Sequence, residues 1–127
     1  LVAVSRASLE QITAYKERMN WTFPWVSSAG NRFNFDLGVS FDPEQLESGA
    51  NNYNFDTQFF GGDEAPGIST FTKDDDGRIF LTYQTFSRGL DMANGAYHLL
   101  DMTAAGRDED DLDWSMQWLH RHDAYPD

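Results

Sequence analysis

The sequence contains no cysteine. Disulfides, thiolate nucleophiles and cysteine-ligated zinc or iron–sulfur sites are therefore excluded for this chain. Basic residues are also scarce, 9 against 21 acidic ones, and the net charge is −12. Phosphate binding needs a basic patch, so nucleic acid is not an expected partner. No apolar run approaches the roughly 18 residues of a membrane span, and no signal-peptide pattern opens the chain. A membrane partner is not expected, and the expected location is the cytoplasm.

Recognisable reaction motifs are missing too. There is no GxGxxG or Walker loop to cradle phosphate and no GxSxG elbow to present a serine. His98, His120 and His122 lack HExxH spacing, so a zinc site would have to be assembled from scattered side chains. Asp74-Asp75-Asp76-Gly77 invites comparison with a calcium loop. A loop aligned on Gly77 would start at Thr72 and finish at Tyr83, where an EF-hand needs Asp and Glu. Neither a metal nor a cofactor is expected.

What is present points to a folded α/β protein. Of the 127 residues, 40% are hydrophobic and 15% aromatic, enough for one domain with a single core over residues 1–127. The chain is organised around residues 66–101. Residues 68–73 and 78–86 read as two strands, rich in Thr, Ile and Phe. The run Ile79, Phe80, Leu81 is continuous, so the second strand is expected to be covered on both faces. Asp74 to Gly77 supplies the hairpin turn. Leu90, Ala93, Tyr97 and Leu100 then recur at helical spacing and are expected to form one buried stripe, with Gly95 kept small by close packing.

Upstream, residues 1–5 read as a short buried strand. Ser8 with Gln11 forms a capping box that starts a helix over residues 9–20. Strand, turn and helix of this kind make half of a βαβ unit. Trp21, Phe23 and Trp25 are expected to fill the core rather than form a ligand platform. Asp42-Pro43-Glu44-Gln45 starts a second helix, ended by Gly49. Residues 48–65 read as a long surface loop carrying Phe55, Phe59 and Phe60. Trp114 and Trp118, four apart, suit one helical turn. Arg88, Asp91 and His98 are a possible polar site, with Asp101 in reach of His98. The plainer reading is that these groups orient neighbouring loops.

Six stretches carry a family resemblance: LVAVSRA at residues 1–7, WTFPWVSS at 21–28, FNFDLGVSF at 33–41, APGIS at 65–69, RGLDMANGAYHLLD at 88–101 and GRDED at 106–110. The chain resembles a bacterial thioredoxin-like family of unknown function, described as predicted dithiol–disulfide oxidoreductases. The resemblance implies an α/β, thioredoxin-like three-layer fold, here without the first core strand and first helix. It places Ala65 and Pro66 beside the substrate, with the Ala65–Pro66 bond cis. It also implies further upstream residues, commonly with a CxxC-type motif, since the chain opens at Leu1 inside an apolar run. Partners implied are a protein or a small thiol or disulfide substrate. The exposed edges would be closed by a homo-oligomer or by a bound missing fragment. The alternative is a catalytically silent protein-interaction module, using the loop at 55–60 and the tail at 114–118.

Overall fold

A computed structural model describes residues 1–125 of the chain. It divides into two compact units, Leu1–Leu90 and Asp91–Asp127. The first unit begins with strand β1, Ala3–Ser5, helix α1, Leu9–Met19, and strand β2, Trp25–Ser27. β1 and β2 pair in parallel, Ala3 opposite Trp25 and Val4 opposite Val26. The Ser8–Gln11 capping box forms as the sequence requires, and Asn20 closes the helix in the left-handed region at φ 51°. The helix buries Ile12 and Met19, while Leu9 is exposed.

Three corrections follow from this first segment and its hairpin. Residues 1–5 do not form a buried strand, because Leu1, Val2 and Val4 are exposed. Trp21 and Phe23 do not fill the core. With Trp25 and Tyr15 they make an aromatic cluster at the surface, Trp21 lying 5.2 Å from Phe23 and 5.5 Å from Tyr15. Their rings shield one another instead of entering the interior, with the Lys16 ammonium donating to the Phe23 carbonyl at 2.7 Å. The hairpin's second strand is not covered on both faces either, as described next.

Strands β3, Gly67–Lys73, and β4, Ile79–Phe86, form a separate antiparallel pair with an irregularity between Thr70 and Phe71. Its loop follows turn chemistry: the Gly77 N–H donates to the Asp74 carbonyl, Gly77 takes φ 84°, and the Asp74 N–H returns to Arg78. Only the Phe86 end of β4 is buried. Ile79 is 69% exposed, and Phe80, Leu81 and Tyr83 are exposed with it. The apolar run does mark a strand that favours burial, but the described residues supply no cover for its outer half. At this level the fold is mixed α/β, with two small sheets of two strands each.

The core of this unit sits where the hairpin base meets the central loop. Phe41, Tyr53 and Phe86 are buried together, with Tyr53 edge-on to Phe86 at 5.5 Å. Between β2 and the hairpin lie two short helices, α2, Phe33–Asp36, and α3, Pro43–Glu47, the latter started by the expected Asp42–Gln45 capping box. The loop at 48–65 is folded onto the core. The Asn51 amide donates to the Phe60 carbonyl at 2.8 Å and its oxygen accepts from the Phe60 N–H at 3.3 Å. Asn54, Phe55 and Asp56 are consecutive left-handed residues, at φ 50°, 57° and 61°. Each such non-glycine residue costs about 1–2 kcal/mol, so the flanking contacts must hold the turn in place.

The second unit is poorer in regular structure. A 3-10 helix, Ser87–Ala93, runs across the division at Leu90, and within the second unit helix α4, Gly95–Leu100, is followed by turns. Tyr97 of the expected stripe is buried, whereas Ala93 is exposed. Gly95 opens α4 and a Cβ there would meet nothing within 4 Å, so close packing does not explain it. Trp114 and Trp118 lie in turns rather than in a helix; Trp118 packs on Tyr97 and Trp114 is 63% exposed.

Candidate functional site

In the first unit, the parallel strands build a groove of about 370 Å³ lined by Val4, Val26, Ser27, Ser28, Asn31 and Phe33. Side-chain direction alternates along a strand, so Val4 and Val26, paired in register, share one face. Ala3, Ser5 and Trp25 take the other, where Trp25 meets Tyr15 of α1 edge-on at 5.9 Å. Phe33 walls the groove and touches Phe71 of β3, their ring centres 6.4 Å apart. The groove therefore lies beside the space between the two sheets.

The polar groups at its rim are already engaged. Ser27 donates to the Ala7 carbonyl at 2.6 Å, Ser28 to Asn34 Oδ1 at 2.9 Å, and Asn31 Oδ1 accepts from the Phe33 N–H at 2.9 Å. Glu64 ties the sheets' ends together by accepting from the Arg6 N–H at 3.1 Å and from Asn34 Nδ2 at 3.2 Å. What the groove offers a ligand is apolar contact.

Ala65 and Pro66 sit at the entry to β3. The Ala65 N–H donates to the Val39 carbonyl at 2.9 Å, and Pro66 is exposed. The Ala65–Pro66 bond is trans, which corrects the cis expectation. Ser40 bridges Glu64 just before it, and the Tyr53 hydroxyl donates to the Pro66 carbonyl at 3.0 Å. This segment runs extended into β3, and a trans bond suits that course.

Arg88 and Asp91 lie in the 3-10 helix, Ser87–Ala93, and His98 lies in α4. Arg88 is exposed in the 3-10 helix, and His98 is exposed on α4. The backbone breaks at Asn94, at φ −112° and ψ 81°, so Asp91 and His98 do not share a helix face. Asp101 accepts two bonds from Arg107, both at 2.7 Å. Arg107 also reaches Asp91 at 3.3 Å and lies over the Tyr97 ring at 4.2 Å.

Around this pair the second unit builds a hub that sequence reasoning missed. Glu109 accepts from the Tyr97 hydroxyl, from the Met116 N–H at 2.8 Å and from the Trp118 indole at 2.9 Å. Its carboxyl is held below the ordinary range, first by the Tyr97 bond and then by the Met116 and Trp118 donors, against desolvation. Burial, then the Glu109 contact, pushes the Tyr97 hydroxyl up. The bonds to Asp101 lead in raising Arg107. The available signal was the pairing of GRDED with the helix before it, which spacing alone does not reveal.

Among the described residues, no group of three or more His, Asp or Glu side chains could hold a metal, and no helix is long and apolar enough to cross a membrane. The groove and strand pairs define a mixed α/β protein that presents apolar sheet surface and brings no thiol to it. The chain belongs to a family of bacterial proteins of unknown function, DUF899, whose family model matches residues 1–125. No curated protein and no solved structure matches it.

Proposed function

We propose that this chain is a thioredoxin-like polypeptide-binding domain, with its exposed strand pairs as the surface on which another polypeptide completes the core. One observation carries the reading: the hairpin β3–β4 leaves Phe71, Ile79, Phe80, Leu81 and Tyr83 exposed on a sheet of only two strands. Both strands of such a sheet are edges, and edges with exposed apolar side chains template pairing with another chain. Phe55 and Phe59, also exposed, extend the contact surface in the same unit. In this reading Ala65 and Pro66, in the same unit as the hairpin, position the bound backbone. The setting is cytoplasmic.

The test uses an extended peptide of alternating valine and lysine, titrated into the whole chain and followed by amide hydrogen exchange. Added protection over Gly67–Lys73 and Ile79–Phe86 is the expected result. Binding with no protection in either strand overturns the reading.

A second reading is dithiol–disulfide exchange. It is favoured by the order of elements, a parallel β-α-β unit, then an antiparallel hairpin, then a helix. The thiols would come from another segment of the same protein, since this chain has none. A cysteine pair in the same gene separates the two readings, and its absence leaves only binding.

A further inference from the structure

The β1–β2 sheet is finished on one face only. On the covered face α1 packs through Tyr15 against Trp25, and Ile12 of α1 is buried. On the other face Val4 is 37% exposed and Val26 48% exposed, side by side in register. Parallel strands occur almost only with helices on both faces, because crossover connections put them there.

We propose that the Val4–Val26 face is the docking site for an amphipathic helix of a partner polypeptide, apolar on one stripe and basic on the opposite side. This rests on the polypeptide-binding reading above and names the element that the partner presents to this groove. Two observations select a helix. Each strand is three residues long, about 10 Å of sheet, the length of about two helical turns. The rim groups Ser27, Ser28 and Asn31 already have partners. An extended segment laid over the valines would therefore bring backbone N–H and C=O groups to a surface that cannot satisfy them. A helix arrives with those groups internally bonded and needs only apolar contact, through residues spaced i, i+3 or i+4, and i+7.

Charge selects the kind of helix. The chain carries −12, so a basic outer face is steered toward it, while a second copy of the chain would bring the same sign and be repelled.

The probe is a synthetic leucine–lysine peptide about 14 residues long, near the length at which an isolated helix becomes marginally stable. Leucines sit at i, i+3, i+4 and i+7, and a scrambled peptide of equal composition is the control. Valine methyl resonances of the whole chain are followed during titration. The expected result is movement of the Val4 and Val26 methyls with the patterned peptide only. Val26→Glu should weaken binding about tenfold, the equivalent of losing one buried valine. Val26→Thr, which keeps the shape, should weaken it in the same direction and covers the case in which the charged variant fails to fold.

Equal binding of the scrambled peptide overturns the inference, because charge alone would then explain association. So does movement of hairpin resonances without Val4 and Val26. In either case protection of the hairpin by the valine–lysine strand peptide would leave the broader binding reading standing. Failure of both peptides overturns both.

Discussion

The units Leu1–Leu90 and Asp91–Asp127 hold themselves together in opposite ways. The first buries a cluster of rings, Phe41, Tyr53 and Phe86, while leaving much of its strand surface bare. The second is held by one acceptor, Glu109, which gathers Tyr97, Met116 and Trp118, and by Arg107 between two aspartates. Apolar burial grows with area and falls off gradually as contacts are removed. A hydrogen-bonded hub responds to one change at several places, because each donor left behind loses its partner.

The largest effect that sharpens this contrast should come from Phe41→Ala. Phe41 is 2% exposed at the centre of the first unit's core, and truncating a buried aromatic costs about 3–5 kcal/mol. Denaturant unfolding of the first unit should shift accordingly, with the Trp118 indole proton signal unchanged before the transition. A smaller loss from Phe41→Ala than from the tyrosine variants below would break the comparison.

Tyr53→Phe comes next. The Tyr53 hydroxyl donates to the Pro66 carbonyl and accepts from the Ser87 N–H, both at 3.0 Å. Losing it strands two backbone groups at a cost of about 2 kcal/mol, measurable by the same unfolding curves. Hydrogen exchange at Ser87 should accelerate, while the ring packing against Phe86 remains.

The smallest and most local effects belong to the second unit, and pH distinguishes them. Glu109 has its folded-state pKa lowered, so its contribution is present above the unfolded carboxylate value of about 4.3 and disappears as pH falls through the lower folded value. Tyr97 is raised, so its contribution is present below about 10 and is lost as pH rises through the higher folded value. The Trp118 indole proton should therefore hold its position between those limits and move beyond both. Glu109→Gln should remove the acid transition. Tyr97→Phe should remove the alkaline one at a cost of about 1 kcal/mol. An indole signal that moves near neutral pH in the unsubstituted chain would contradict the hub.

Much of the local structure was legible in the chain itself. Ser8 with Gln11 and Asp42 with Gln45 are cap pairs whose chemistry is complete within four residues, and both form. Gly77 after three aspartates specifies the hairpin loop for the same reason. Burial was less legible. The runs at Ile79 to Leu81 and at Trp21 to Trp25 read as interior, yet both are largely surface here. Hydrophobicity states what a side chain favours, and only the surrounding elements can provide it. Of the site, Val4 belongs to the strand read over residues 1–5, but the bare face it shares with Val26 depends on the parallel register of β1 with β2.

The sequence by itself determined that no thiol acts from this chain, that its surface is strongly acidic, and where its caps and turn fall. These follow from residue identity and from contacts a few positions apart. Tertiary structure alone decided that the strands stand as two separate pairs, that Ala65–Pro66 is trans in an extended run, and that Arg107 and Glu109 organise the second unit. Each of those depends on partners distant in the chain, Tyr53 with Pro66 or Glu109 with Tyr97, whose meeting is fixed by packing geometry and by the need to satisfy buried polar groups.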